Sequence, residues 1–210
     1  EIAWVLAAFL IAVAIVIPLV GTLSERLGRR RLFLVSIVGF CIASMFTGGA
    51  DSVPEIVIYR FLQGIFASPL VPISQSFVFD AFPPETRGKV MGWWTLGLML
   101  GALLGPALGG YLAEFHSWRW AFYINVPFGI VSFAIIYIFG PTRRLPRGTQ
   151  PFGMAGFLIL AVGLVSLQIV LSRGERMDWF SSPQIVGASV LAAASLYVYI
   201  VHTTYSSRPF

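Results

Sequence analysis

Residues 2–20 read IAWVLAAFLIAVAIVIPLV, a run of nineteen residues without a charged side chain. A helix needs about 20 apolar residues to cross the hydrocarbon layer of a bilayer. Six further runs of comparable length follow it, at residues 32–50, 55–79, 90–113, 119–140, 151–172 and 184–203. The sequence therefore predicts an all-α polytopic membrane protein with seven transmembrane helices.

The composition excludes several classes of protein. Charged residues make up 11% of the 210 residues and hydrophobic residues 57%, whereas an average soluble domain has about 25% charged residues. The chain has too little polar surface to be a soluble enzyme, a disordered chain or a nucleic-acid-binding protein. Its net charge of +5 is typical of a membrane protein with basic cytoplasmic loops. The single Cys41 excludes an internal disulfide.

The Lys and Arg side chains of the loops indicate the orientation in the membrane. One alternate set of loops, together with the C-terminal end, carries ten of them: Arg26, Arg29, Arg30, Arg31, Arg87, Lys89, Arg143, Arg144, Arg147 and Arg208. The opposite set carries Arg119, Arg173 and Arg176. Because cytoplasmic loops carry the excess of positive charge, we expect the N-terminus outside and the C-terminus inside.

Residues 141–150 form the least membrane-like stretch, a basic loop that contains Pro and Gly. Such a composition interrupts helices, so we expect a cytoplasmic linker between five preceding spans and a following pair. The chain begins at Glu1, directly before a span, and its end at Phe210 has no terminal character. We therefore expect it to be a fragment of a longer protein.

Arg60 is the one charge that we expect well inside a span. Ser52 and Glu55 have the spacing of a capping box, and Arg60 lies roughly 12 Å further along the third span. An Arg at that depth costs at least about 2.5–3.5 kcal/mol, so it should contact a partner or a water-filled cavity. Four residues continue nearly the same helix face and predict a substrate or proton pathway: Gln63, Gly64, Ser68 and Gln75. The alternative is a structural Arg bonded to backbone carbonyls of neighbouring helices.

The fourth span contains a motif of small residues with one proline, made of Gly97, Gly101, Gly105, Pro106, Gly109 and Gly110. Glycines four residues apart lie along one side of a helix and let another helix approach closely. Pro106 removes a backbone hydrogen bond and is predicted to bend the helix. The motif indicates a helix-packing face with a bend.

The first cytoplasmic loop combines glycines with charges, namely Gly21, Glu25, Arg26, Gly28, Arg29, Arg30 and Arg31. Gly21 and Gly28 are predicted to form a tight turn between two helices. An acid beside four arginines offers charge pairs that can differ between two conformations, which predicts a gating loop. The alternative is a basic anchor that only sets the topology.

Together these motifs resemble the major facilitator superfamily. Residues 21–31 resemble its signature between the second and third spans, the Tyr59-Arg60-x-x-Gln63-Gly64 stretch resembles its fourth-span motif, and residues 101–110 resemble its fifth-span antiporter motif. A further stretch resembles the fifth-to-sixth-span signature of fourteen-span drug:proton antiporters of the EmrB/QacA type, through Trp118, Arg119, Trp120, Asn125 and Pro127. Residues 172–182 resemble the loop between that group's two extra central spans, most of all in its EmrB-like members.

The resemblance implies a partial major facilitator fold whose seven helices are spans two to eight. Residues 1–140 would then be spans two to six of the N-terminal six-helix bundle, and residues 151–210 the extra central pair with an outer amphipathic loop. Glu25 departs from the family, which more often has Asp there. No carboxylate lies deep in a span, so the acid that carries the proton is expected outside this chain.

The function implied by the resemblance is proton-gradient-driven efflux of lipophilic, often cationic compounds by alternating access. The expected location is the inner membrane of a bacterium, in contact with lipid. The expected partners are small lipophilic substrates and protons, with a periplasmic adaptor (a membrane fusion protein) and an outer-membrane channel if the protein is EmrB-like. Arg60 lies where the family has its proton-coupling arginine, so the resemblance implies that Arg60 couples efflux to protons.

Two other functions stay open at this point. One is proton-linked uptake by a transporter of the same superfamily, with Arg60 holding the substrate, although the antiporter motif favours export. The other is a seven-span receptor, but a retinal protein would need a Lys within a span and the single Lys89 lies at a loop. The sequence has no catalytic constellation and no phosphate-binding loop, so we expect neither an enzyme nor a cofactor or metal.

Overall fold

The computed structural model describes residues 2–141 and 153–205, and these residues fold into helices joined by short turns. The α-helices are α1 (Ile2–Val16), α2 (Val20–Leu27), α3 (Arg29–Gly49), α4 (Val53–Ala67), α5 (Leu70–Ala81), α6 (Pro84–Phe115), α7 (Trp120–Tyr123), α8 (Asn125–Phe139), α9 (Met154–Arg173) and α10 (Pro183–Tyr205). They make seven segments that are long and apolar enough to cross a membrane. The predicted fold class and number of spans are confirmed.

Three of the spans contain a local change in the helix. A short 3-10 turn at Ile17–Leu19 joins α1 to α2. The third span is divided into α4 and α5 at Ser68 and Pro69, because Pro69 has no N–H to continue the helix hydrogen bonds. Helices α7 and α8 together form the span after α6. The predicted first loop is almost entirely helical, since α2 ends at Leu27 and α3 begins at Arg29.

Helices α1, α3 and α4 make most of the contacts that hold the described spans together. Helix α4 packs against both α1 and α3, while α3 also packs against α8. Helices α9 and α10 form an antiparallel pair, and α9 packs against α1. An apolar cluster joins α2, α3 and α5 near the Gly28 turn, and it consists of Val20, Leu32, Phe33, Ile37, Ile73 and Phe77.

Long-range contacts show which loops share an end of the helices. At one end, Arg29 of α3 pairs with Asp80 of α5. At the other end, Arg119 pairs with Asp51, and Arg173 at the end of α9 lies over the ring of Trp4 at the start of α1. The basic and the poorly charged loops therefore lie at opposite ends, as their alternation in the sequence predicts. Which end is cytoplasmic stays a prediction from charge.

Helix α6 has the least support from the rest of the described chain. It is 32 residues long and none of its residues is buried. A Cβ placed on Gly97, Gly101 or Gly105 would meet no atom within 4 Å. The helix continues through Pro106. The predicted basic linker at residues 141–150 lies outside the described residues except for Pro141, and so does Arg208.

Candidate functional site

Arg60 lies within α4 and is surrounded by an amide and two aromatic rings. Its Nη1 donates to Oε1 of Gln63 at 3.1 Å. Its guanidinium carbon lies 5.2 Å from the ring centroid of Phe9 and 5.3 Å from that of Phe122, within the range of a cation–π contact. Its Nε is buried and has no hydrogen-bond partner in the described part of the chain. The guanidinium therefore keeps one buried donor for a further group.

Gln63 and Gly64 explain how α1 reaches this position. Gln63 is 1% exposed and is held by Arg60. A Cβ on Gly64 would lie 2.8 Å from the Cβ of Ala12, and closer still to the carbonyl oxygen of Phe9. Only a residue without a side chain allows α1 and α4 to cross this closely. Gly64 therefore brings Phe9 to the guanidinium.

The other two residues of the predicted polar face are placed differently. Ser68 is buried, but its hydroxyl donates to the carbonyl of Ile65 at the end of α4. Gln75 lies on α5, beyond the break at Pro69. Ser68 and Pro69 keep helical backbone angles, and α4 and α5 together form one span, so the polar stripe as far as Gln75 stays a prediction. Arg60, Gln63 and Gly64 are the part of the stripe that the structure brings together.

The start of α4 also differs from the predicted capping box. The Ser52 side chain makes no cap hydrogen bond. Glu55 instead accepts a hydrogen bond from the backbone N–H of Asp51 at 3.1 Å. The Asp51 bond lies one residue before the expected one, and the backbone and side chain of Ser52 also interact with the Glu55 carboxylate.

No carboxylate pairs with Arg60 in the described residues. The two ion pairs recorded there join Arg29 to Asp80 at 2.5 Å and Arg119 to Asp51 at 3.0 Å. Within residues 2–141 and 153–205 there is also no group of three His, Cys, Asp or Glu side chains placed to hold a metal ion.

The predicted gating loop is a single-residue turn between two helices. Gly28 has a φ of +86°, a backbone conformation that favours glycine, and it separates α2 from α3. Gly21 lies inside α2, so the prediction that it forms the turn is wrong. Glu25 and Arg26 are exposed on the last turn of α2.

Two arginines of this loop hold neighbouring spans. Arg29 pairs with Asp80, and Arg30 donates to the carbonyl oxygen of Tyr137 and lies over its ring. Sequence analysis missed both partners. Asp80 carried a usable signal, because it is an acid at the end of the third span and on the same side as the basic loop. Tyr137 carried none, because neither its backbone carbonyl nor its ring is marked in the sequence as a partner of Arg30.

The stretch from Trp118 to Pro127 does more than mark the membrane interface. Arg119 Nη2 donates to the carbonyl of Ala50 and to Asp51, both at 3.0 Å. Asn125 Nδ2 donates to the hydroxyl of Ser44 at 2.9 Å, and that hydroxyl donates to the carbonyl of Phe122 at 2.9 Å. These bonds fasten α7 and α8 to α3. Trp118, Trp120 and Pro127 are exposed.

Comparisons with known proteins agree with these motifs. The model of the Major Facilitator Superfamily matches residues 1–208. The multidrug export protein EmrB of Escherichia coli K12 is 37% identical over 208 residues, which cover 98% of this chain and 40% of EmrB. The fatty acid resistance protein FarB of Neisseria gonorrhoeae is 36% identical over 198 residues, covering 94% of this chain and 39% of FarB.

A Gram-positive relative gives the same coverage. Multidrug resistance protein 3 of Bacillus subtilis is 35% identical over 208 residues, which cover 99% of this chain and 40% of that protein. The chain thus spans about two fifths of the length of the curated relatives it matches.

Proposed function

The chain belongs to the major facilitator superfamily, and from this membership we propose that it is part of a proton-driven exporter of lipophilic, often cationic compounds. It is a multi-pass protein of the bacterial inner membrane, and its family is one of transporters rather than enzymes. Residues 1–140 would form spans two to six of the N-terminal six-helix bundle. Residues 141–150 would be the cytoplasmic linker, and residues 151–210 the extra central pair.

The observation that carries the proposal is the buried Nε of Arg60 inside a span, which has no hydrogen-bond partner among the residues that the structure describes. A cation in a low-dielectric region attracts an anion, and it favours the ionised form of a nearby carboxylate. In our proposal, an acid from another span meets Arg60 in one conformation and is separated from it in the other. It then releases its proton in the first state and takes one up in the second.

Export rather than uptake is favoured by the relatives. Their names describe multidrug export, multidrug resistance and fatty acid resistance. The name of FarB points to a lipophilic substrate. Exchange of one monovalent lipophilic cation for one proton moves no net charge across the membrane, so the pH difference rather than the negative interior would drive its export. Alternating access would let one site serve both sides of the membrane.

Further proteins would be needed where substrates must also cross an outer membrane. In the predicted orientation the described outer turns are short, for example the three residues between α3 and α4, and would not extend far into the periplasm. We therefore include a periplasmic adaptor of the membrane fusion protein type and an outer-membrane channel in the proposal for a Gram-negative host.

Ethidium efflux tests the proposed function. Cells that express the complete transporter are loaded with ethidium and then energised. We expect the intracellular fluorescence to fall faster than in cells without the transporter, and this difference to disappear when a proton ionophore collapses the gradient. Efflux that persists unchanged with the ionophore would contradict proton coupling, and no difference from empty cells would contradict export of this substrate class.

Glu25 provides a test of the gating loop. The acid is exposed on α2, next to arginines that hold other spans, so it is free to contact the part of the transporter outside this chain. We expect Glu25→Gln to shift the population of inward-open and outward-open states by about 1–3 kcal/mol, the usual size of an allosteric coupling. Distance distributions between spin labels on opposite bundles measure this shift.

The matched control is Glu85→Gln, which removes an exposed acid from the start of α6 on the same side of the membrane. The control should leave the distances unchanged. Unaltered distributions in Glu25→Gln as well would mean that the loop only sets the topology.

A further inference from the structure

The stretch from Trp118 to Pro127 and the Arg60 motif meet at one side chain, Phe122. Its ring centroid is 5.3 Å from the guanidinium carbon of Arg60. The Phe9 ring of α1 lies at a similar distance of 5.2 Å. Two rings from different helices therefore contact one half-buried cation, in addition to the hydrogen bond from Arg60 to Gln63.

Phe122 is held in place by two other residues of its own stretch. The Trp118 ring packs edge-on against the Phe122 ring, with centroids 6.0 Å apart and planes at 87°. Asn125 acts through Ser44, which is fully buried and donates to the Phe122 carbonyl. The backbone of Phe122 is thus bonded to α3, and its ring is packed against Trp118.

Phe9, on α1, is held in place by the contact between α1 and α4. The close crossing of α1 and α4 at Gly64 holds the Phe9 backbone against α4. Neither ring offers a hydrogen-bond acceptor, so the rings hold the charge without using the Nε donor. A carboxylate or amide side chain at either position would instead compete for that donor.

We propose that Phe122 and Phe9 are positioning residues, which hold the Arg60 guanidinium by cation–π contacts and leave its Nε free for the acid that couples transport to protons. The inference rests on the proposed coupling role of Arg60. In this inference Trp118 and Asn125 position Phe122, which in turn positions Arg60. The Trp118–Pro127 stretch then contributes to proton coupling as well as to the membrane interface.

The test compares two activities of the complete transporter in membrane vesicles. One is uphill ethidium efflux, which requires proton coupling, and the other is ethidium exchange at equal concentrations, which requires only binding and access. We expect Phe122→Leu to insert normally, to retain exchange and to lose uphill efflux by about tenfold or more, the effect of removing a desolvated cation–π contact. Phe122→Tyr keeps an aromatic face and should restore coupling.

Phe128→Leu is the matched control, because Phe128 is on the same span but 67% exposed and makes no recorded contact with Arg60. If Phe122→Leu keeps wild-type uphill efflux, or if Phe122→Tyr is as defective as Phe122→Leu, the positioning role is wrong. If Phe122→Leu is not inserted, Phe9→Leu is measured in the same way. Loss of insertion in both variants would mean that the rings serve folding and would also overturn the proposal.

Arg60→Ala measured in parallel separates this inference from the function on which it rests. If Arg60→Ala loses uphill efflux while Phe122→Leu keeps it, only the positioning role fails. If Arg60→Ala itself keeps wild-type uphill efflux, the proposed coupling role fails, whatever Phe122→Leu does.

Discussion

Replacing Arg60 by Ala in the complete transporter is expected to abolish uphill export without preventing insertion. The substitution removes a charge whose placement inside a span costs at least about 2.5–3.5 kcal/mol, so the variant should reach the membrane at the wild-type level. It also removes the cation that would favour ionisation of the coupling acid. Without it, the acid has no reason to release its proton in one conformation rather than the other.

The measurement is ethidium efflux from loaded cells, with and without a proton ionophore. We expect Arg60→Ala cells to bind ethidium but to release it no faster than wild-type cells treated with the ionophore. Arg60→Lys keeps the charge and should retain part of the coupling. The matched control is Arg176→Ala, which removes an exposed arginine of the outer loop and should behave as wild type.

Efflux by Arg60→Ala at the wild-type rate and with the same ionophore sensitivity would refute the coupling role. Arg60 would then be a structural residue that only ties α4 to α1 and α7. A variant that fails to insert would lead to the same conclusion, since loss of a structural tie predicts a folding defect.

The spans and the family were predictable from the sequence for simple physical reasons. Each apolar run has the length that the bilayer imposes on a helix, and this relation does not depend on which helices are neighbours. Glycine, proline and charge motifs also occupy short stretches that can be compared directly with a family. All seven predicted spans are therefore present as helices.

Breaks within a span and contacts between spans were harder to predict. The apolar run at residues 55–79 predicts one span, but its length and hydrophobicity do not show that the span is divided into two helices at Ser68 and Pro69. Helix periodicity shows which residues share a face, but it does not show which helix covers that face. For this reason Phe9 and Phe122 could not be identified as the residues that contact Arg60.

The glycine face of α6 is a second case in which the sequence predicts a packing face but not the helix that covers it. The residue spacing predicted a packing face, yet a Cβ on Gly101, Gly105 or Gly109 would meet no atom within 4 Å. The chain spans about two fifths of its relatives' length, which leaves enough additional chain to cover this face. We propose that the covering helix belongs to the other bundle and that its contact with α6 forms and breaks during transport.

Gly105→Leu is therefore expected to abolish transport while the protein still inserts. Nothing in the described chain contacts this position, so a Leu side chain would not disturb the packing of α6 against the described helices. It would, however, prevent the close approach of a second helix that small residues four positions apart allow. We expect ethidium release to fall to the level of ionophore-treated wild-type cells, measured at equal amounts of inserted protein.

Ala107→Leu is the control that isolates the glycine face. Ala107 is two residues further along α6, about 200° around the helix, and it is also exposed, so the substitution adds similar bulk to the opposite side. This variant should export ethidium normally. Normal export with unchanged proton dependence in Gly105→Leu would contradict a moving contact and would leave the motif as a static packing face. Equal loss in both variants would instead indicate that added bulk anywhere on α6 is harmful, because the motif would then have no special role.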